Sequence, residues 1–400
     1  MNMIWRTMKL SLLMALLVIM ATGCKMCAKP PVGPEGAFDT PAKHIEWGFE
    51  NLEKGKLDAA YKEFQRALAL APESKANEKA EKAPAHAGLG LYYAMKNDFK
   101  KAKEHIDKAK SWDSKCWQAY MVQGRVYAIE KPKNWNSKAQ KAFEKAVKYT
   151  KSKEDKSMCY YWWGKTAKTA LDFDSAEKAF RKVIELDVAG WVSKADKDWK
   201  LIQMIQRAAP GTKVGKKIAL IEKISRADCA ILFMQELKLE KLLSERVKKE
   251  YDTKYTPPAD SREFKTETVS KADACTDIEN SWAKHDIEKV IHLPIRGLKP
   301  YPDHTFKPQE LITRANFATM IEDIIIIITG DQKLRTKYLG EESHFPDVRS
   351  DHFAYNAINV CVTRQILGTK GLDAEFGLMD SVAGAEALLA IRKLRDNLRL

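Results

Sequence analysis

The stretch DIENSWAKHDIEKVIHLPIRGLKPYPDHTFKPQELITRANFATM, from Asp277 to Met320, contains a complete small folding unit. Trp282, Ile287 and Val290 recur at the spacing of one helical face, and Gly297 follows where that pattern stops. The sequence therefore predicts a short helix as the first element of this unit.

A turn-rich loop and a second helix complete the unit. Pro300 and Pro302 lie in the loop, and Thr313 then supplies an N-cap for an apolar helix that contains Phe317. The isoleucine run 324–328 is too short to cross a bilayer and continues the helical pattern, so it predicts a core helix. A buried strand remains the alternative for this run.

The order of these parts resembles the S-layer homology (SLH) module, a unit that binds cell-wall polymers. The resemblance rests on an acidic residue before a Trp-Ala pair, here Asp277 and Trp282, and on the turn Ile312-Thr313-Arg314-Ala315. Asn316 stands where the family has a Glu. The resemblance implies a small helical module with a polymer-binding groove.

Two incomplete copies flank this module. The first has Ile224-Ser225-Arg226-Ala227-Asp228, in which Ser225 and Asp228 are spaced for a capping box, but it lacks the opening Trp. The third has Phe353 at the place of Trp282 and Gly384 at the place of Arg314. Because Gly384 has no side chain, we expect the groove that depends on it to be weak or purely structural.

The resemblance also implies which residues bind the polymer. Family grooves use the signature arginine, the tryptophan and nearby Asp and Gly, and these positions are Arg226, Arg314, Asp277, Trp282 and Gly297. An arginine at a helix start offers paired donors to a sugar carboxylate, and a tryptophan stacks on the sugar face. The alternative is that the arginines pair with neighbouring carboxylates and Trp282 belongs to the core.

Small residues recur at a helical-hairpin spacing through the first half of the chain. The first set, Gly48, Ala60, Phe64, Ala67 and Pro72, resembles the tetratricopeptide (TPR) repeat, in which small residues let paired helices approach. Further copies centre on Gly90, Gly124 and Gly164, which exceeds the minimum of about three repeats for a stable stack. Such an array offers a concave surface for protein partners and contains no catalytic constellation.

Aromatic residues are dense in the third and fourth repeats. They either line a ligand groove or fill enlarged interfaces between repeats, and burial is the ordinary role of large rings. The residues concerned are Trp112, Trp117, Trp135, Tyr160, Tyr161, Trp162 and Trp163.

The N-terminus has the features of an export signal. Arg6 and Lys9 precede an apolar run, and small residues precede Cys24, an arrangement that resembles a bacterial lipobox. The resemblance implies that Cys24 carries a lipid and that Lys25, in place of Asp, favours the outer membrane. A signal peptide cut nearby and an uncleaved anchor are the alternatives.

Charge and cysteine content narrow the function classes. The net charge of +14 fits weak attraction to anionic wall polymers or a solvated Lys-rich surface, and export argues against nucleic acid. The remaining cysteines form no C-x-x-C pair and no Cys/His cluster, so we predict no metal site and no cofactor. No Ser/His/Asp or Cys/His arrangement indicates an enzyme.

These observations predict an all-α protein, a TPR helical-hairpin solenoid followed by a helical bundle of SLH modules. The predicted segments are a signal peptide (1–23), a Pro/Gly-rich tether (24–40), the TPR domain (41–208) and an SLH-like domain (209–400). The last comprises a first module (209–240), a linker (241–274), a second module (275–335) and a third module (340–400).

The predicted function is that of a non-enzymatic outer-membrane lipoprotein that faces the periplasm. It binds peptidoglycan or an associated anionic wall polymer through the SLH modules and docks an envelope protein on the TPR array. The alternative is an assembly scaffold for an envelope complex, in which the SLH modules are only structural.

Overall fold

A computed structural model describes residue 36 and residues 38–71, 75–243, 275–371 and 373–399. Within these ranges the regular elements are helices, and the extended pairings are isolated bridges, so the predicted all-α class is confirmed. The predicted signal peptide, Cys24, Pro72, nearly all of the tether and most of the linker lie outside the described residues. No helix in the described ranges has the length and apolar character needed to cross a bilayer.

The helices of the first half follow one another with short connections. They are α1 (Pro41–Glu53), α2 (Leu57–Leu70), α3 (Lys75–Met95), α4 (Phe99–Trp112), α5 (Trp117–Glu130), α6 (Trp135–Tyr149), α7 (Lys153–Thr169), α8 (Phe173–Leu186) and α9 (Ala189–Ala208).

The helices of the second half are shorter and separated by irregular segments. They are α10 (Lys213–Ile218), α11 (Arg226–Ile231) with its π-helical continuation Leu232–Glu236, α12 (Leu239–Leu243), α13 (Lys284–Val290), α14 (Arg314–Thr329), the 3-10 turn Gln332–Thr336, α15 (Tyr355–Thr363) and α16 (Gly384–Leu398).

By packing, the chain divides into two compact units. Of the described residues, the first unit contains those up to Ala170 together with Ala179–Val192, and the second contains Leu171–Lys178 together with those from Ser193 onward. The predicted boundary at 208 lies later in the sequence than this division and stays a prediction.

Consecutive helices of the first unit pack as hairpins, α1 with α2, α3 with α4 and α5 with α6. A glycine in the first helix of a hairpin faces an aromatic ring of the second, and this permits the close approach. A Cβ added at Gly124 would lie 2.6 Å from the Phe143 ring, and one at Gly164 would lie 2.7 Å from the Phe180 ring. The regularly spaced glycines therefore lie where paired helices approach each other, as the sequence predicts. The TPR assignment itself stays a prediction.

Several of the predicted aromatic residues of the first unit support its core. Trp112, Trp117, Trp162 and Trp163 pack against the buried cluster. The guanidinium of buried Arg125 lies 3.4 Å from the centre of the Trp162 ring. These four rings therefore have a packing role, which is the second of the two roles that the sequence left open.

The second unit is organised around a closed cycle of backbone hydrogen bonds between the three signature turns. The amide of Ile224 donates to the carbonyl of Val382 at 2.9 Å, Ile312 donates to Ile224 at 3.0 Å, and Val382 donates to Ile312 at 3.2 Å. The three turns therefore meet around a pseudo-threefold axis, with one bond between each pair.

The first amide of each signature helix also donates to a carbonyl of a neighbouring module. The amide of Arg226 donates to Glu310, that of Arg314 donates to Asp380, and that of Gly384 donates to Ile221, each at 2.9 Å. These bonds satisfy amides that a helix start leaves without an intrahelical partner. The cycle thus closes through the first module although that module lacks an opening Trp helix.

The run 324–328 lies in the helix α14, as predicted, and its side chains are buried except for that of residue 327. The Phe317 ring of the same helix stacks on Phe233 of the first module at 5.9 Å between ring centres. Two signature helices therefore share one apolar core.

Candidate functional site

The side chain of Arg226 crosses from the first module into the loop of the second. Its Nε donates to the carbonyl of Phe306 at 2.7 Å and its Nη2 to that of Lys299 at 2.9 Å, and its Nη1 donates to that of Gly297. Arg226 is 4% exposed, and burial lowers its pKa from the ordinary value. The arginine therefore holds two modules together through backbone carbonyls.

Arg314 makes the same connection between the second and third modules. Its Nε donates to Phe376 at 2.8 Å, its Nη2 donates to Gly368 at 2.6 Å, and it is 2% exposed. Burial lowers its pKa as well. In contrast to Arg226, its Nη1 forms an ion pair with the carboxylate of Glu386.

Asp277 fixes the loop that receives Arg226. Its two carboxylate oxygens accept from the amides of Phe306 and Lys307, both at 2.7 Å. In the third module Asp347 accepts from the amides of Phe376 and Gly377 in the same way. Burial acts to raise the pKa of Asp347, but the amide hydrogen bonds outweigh burial, so its pKa is lowered. Asp277 thus shapes the site through the backbone.

Gly297 and Trp282 have different positions relative to Arg226. Gly297 has a φ of +80° beside Met320, and its carbonyl accepts from Arg226. Trp282 is 59% exposed and is not among the residues that line the groove around Arg226. Its counterpart Phe353, from the third module, lines that groove and is 67% exposed. The role of all five predicted residues in binding stays a prediction.

Arg226 and Gly297 open onto a cleft of about 400 Å³ that we call groove A. Its walls come from the loop of the second module, the start of α14 and Phe353. It is lined by Arg226, Arg296, Gly297, Lys299, Pro300, Tyr301, Pro302, Glu310, Leu311, Ile312, Asn316, Thr319 and Phe353.

Groove A has an excess of positive charge. Arg296 is balanced, because it contacts Glu322 and lies 2.9 Å from a carboxylate oxygen of Asp323. Arg226 and Lys299 form no ion pair with any carboxylate in the described part of the chain. These two cations face only Glu310 among the lining carboxylates, which leaves an excess of one positive charge.

Aromatic rings lie beside Arg226 in groove A. The guanidinium of Arg226 lies 4.8 Å from the centre of the Tyr301 ring, whose hydroxyl donates to Glu310 at 2.8 Å. Burial and the bond to Glu310 raise the pKa of Tyr301. The Phe353 ring packs against His352 with 4.5 Å between ring centres and the two planes tilted by 38°. The groove therefore offers both hydrogen-bond donors for an anion and apolar ring faces.

A second cleft, groove B, lies at the equivalent place around Arg314 and measures about 480 Å³. Helix α9 takes the place of an opening Trp helix along one wall. The lining residues are Lys200, Leu201, Met204, Arg314, Ile366, Leu367, Gly368, Thr369, Lys370, Ala383, Ala385, Glu386, Leu389 and Lys393.

The comparisons with known proteins match one part of this unit. Residues 276–318 match the S-layer homology domain. SLH domains bind peptidoglycan or secondary cell-wall polymers and are non-catalytic, so the match supports an association with the cell envelope. No curated protein and no solved structure matches the chain.

Sequence reasoning missed several residues of groove A. Lys299, Tyr301 and Asn316 lie within the quoted stretch, but nothing in their spacing shows that they face Arg226 across a module boundary. For Phe353 the sequence does contain a signal, because its equivalence to Trp282 predicts that it lines a groove. The pairing of a turn from one module with an aromatic ring from the next follows only from the cyclic arrangement.

The cysteines and histidines form no metal-binding group of three in the described residues. Cys116, Cys159, Cys229 and Cys361 are buried, and burial raises the pKa of the Cys116 thiol to about 12. These thiols behave as small core side chains.

Proposed function

We propose that groove A binds a carboxylate-bearing polymer of the cell wall. The observation that supports this proposal is the buried guanidinium of Arg226, which has no carboxylate partner among the described residues. A guanidinium carries five N–H groups, and three of the groups on Arg226 go to carbonyls, so two remain for a ligand. Lys299 adds a second cation at the same groove.

The burial of Arg226 strengthens the attraction between its charge and an anionic ligand. An anion that approaches Arg226 meets a site with a lower effective dielectric than bulk water, in which charge-assisted hydrogen bonds are stronger. The three carbonyl acceptors hold the guanidinium in place, so binding does not require the side chain to be ordered first. A uronic or pyruvylated sugar offers the matching carboxylate.

The aromatic walls suit the remainder of such a sugar. Tyr301 and the exposed Phe353 present apolar faces beside the cations, and ring faces of this kind pack against the C–H groups of a pyranose. Truncation of one central aromatic anchor of a binding site typically costs more than about 1 kcal/mol.

For the whole protein we propose a non-enzymatic lipoprotein that faces the periplasm and links the outer membrane to the wall. A lipid on Cys24 holds one end, groove A holds the polymer, and the repeat array of the first unit docks an envelope protein. Neither a cofactor nor nucleic acid takes part.

The test is co-sedimentation of the full-length protein with purified sacculi, before and after acid treatment that strips attached polymers. We expect binding to untreated sacculi and a loss of at least about 5-fold in affinity for Phe353→Ser, which corresponds to about 1 kcal/mol. Leu339→Ser is the matched control, because Leu339 is 61% exposed and does not line groove A.

Equal binding by the wild type, Phe353→Ser and Leu339→Ser would contradict the assignment to groove A. No binding to either preparation, together with capture of an envelope protein by the first unit, would favour the assembly scaffold. Binding that survives acid treatment would identify peptidoglycan itself as the ligand in place of an attached polymer.

A further inference from the structure

Grooves A and B are built from equivalent parts. Arg226 corresponds to Arg314, and the loop carbonyls that receive them belong to Gly297 and Gly368. Asn316 stands two positions after Arg314 and lines groove A, and Glu386 stands two positions after Gly384 and lines groove B, so the two residues are equivalent. These two residues are the third helical residues of α14 and α16.

The two grooves differ at this position in charge. The carboxylate of Glu386 forms an ion pair with Arg314, and its side chain is 28% exposed, so it lies at the mouth of groove B. Asn316 is uncharged and leaves Arg226 without an ion-pair partner in the described residues. In groove B a carboxylate of the chain is therefore paired with the signature arginine, whereas Glu310, the carboxylate that lines groove A, forms no ion pair with Arg226.

Local helix chemistry explains why Glu386 is available for this pairing. In the first module, Asp228 occupies the equivalent position, and its carboxylate accepts from the amide and hydroxyl of the N-cap Ser225 at 2.8 and 2.9 Å. The N-cap of α16 is Ala383, which makes no side-chain capping bond. Without a capping box, Glu386 turns to the arginine of the neighbouring module.

Most of the other cations of groove B are also balanced. Lys370 pairs with Asp380 at 2.6 Å, and Lys200 pairs with Asp196 at 2.7 Å. Leu201 and Met204 add apolar surface from α9. Groove B thus has the shape of a second ligand groove, but its signature arginine and two of its three lysines are already paired with carboxylates.

We propose that Glu386, which has no N-cap hydroxyl to bond, acts as an internal ligand of Arg314 and closes groove B to an anionic sugar. This inference rests on the proposed function of groove A. Groove A binds the carboxylate of the polymer because Arg226 forms no ion pair with a carboxylate of the described residues, and groove B is closed to the same ligand by its own glutamate.

The experiment is calorimetric titration of the full-length protein with trigalacturonate, a soluble carboxylated sugar. We expect one binding site in the wild type. Glu386→Asn copies groove A into groove B and should raise the stoichiometry to two. Ala383→Ser supplies the missing hydroxyl of a capping box for Glu386 and should also raise the stoichiometry to two. Asn316→Glu completes such a box with Thr313, so it should leave the affinity of groove A unchanged.

Glu386→Gln serves as a second variant with the original side-chain length, and urea unfolding confirms that each variant is folded. One site in the wild type and still one in both Glu386 variants would overturn the inference while the proposed function stands. Two sites in the wild type would overturn it as well. No binding by the wild type or by either Glu386 variant would contradict both proposals for carboxylated sugars.

Discussion

Gly384→Ala tests the cycle of modules at its tightest point. A Cβ at Gly384 would lie 2.7 Å from the carbonyl carbon of Ile218 and closer still to its oxygen, and the obstacle is backbone that cannot rotate away. Overpacking of this kind costs about 1–3 kcal/mol. The shift would also break the bonds from Gly384 to Ile221 and from Ile224 to Val382, at about 1 kcal/mol each. We therefore expect a loss of about 3–5 kcal/mol in the free energy of unfolding.

Urea unfolding followed by circular dichroism measures this loss. Gly368→Ala is the matched control, because an added Cβ there meets nothing within 4 Å and the glycine belongs to the same unit. The control should remain within about 0.5 kcal/mol of the wild type. A Gly384→Ala protein that is as stable as the control would refute the closed cycle and the steric reason for a glycine at this position.

The remaining predictions concern the first unit. Gly164→Ala places a Cβ 2.7 Å from the Phe180 ring and should lower the free energy of unfolding by about 1–3 kcal/mol. Gly190→Ala is the control, because an added Cβ there meets open space and should not lower this free energy. Equal urea midpoints for the two variants would contradict the hairpin packing. Burial, assisted by nearby His105, lowers the pKa of His86 to about 4, so the unfolded chain takes up a proton near pH 6.5 that the folded chain resists. Stability should consequently fall between about pH 6.5 and 4, and the fall should be smaller in His86→Asn; identical pH profiles would disprove the contribution of this histidine.

The sequence predicted the all-α class and the positions of the signature turns because both depend on local patterns. Thr313 and Ser225 cap their helices as their residue types indicate. The cycle that joins Ile224, Ile312 and Val382 was not predictable in this way, because its partners are separated by about 70 residues or more and their pairing depends on the packing of complete modules.

Gly384 shows the same limit in a single residue. Its missing side chain was interpreted as a loss of recognition in one groove. The structure adds a steric reason, since the Ile218 carbonyl occupies the space where a side chain would begin. Residue type alone does not distinguish a functional loss from a packing requirement.

The candidate site was predicted in part. The sequence identified Arg226, Arg314 and Gly297 but not the bonds from the two arginines to backbone carbonyls in loops of the neighbouring modules. It treated Asn316 as a departure that weakens the family resemblance. In the structure Asn316 distinguishes groove A from groove B, because the equivalent Glu386 pairs with an arginine. This difference depends on contacts between modules and is invisible in either module alone.

The most direct test of the central claim is hydrogen–deuterium exchange of the full-length protein with and without solubilised wall polymer. Binding at groove A should slow exchange in residues 296–302 and around Phe353, since these segments form its walls. The helices α1 to α7 should exchange at unchanged rates. Slowed exchange confined to those helices, with residues 296–302 and Phe353 unaffected, would contradict the account.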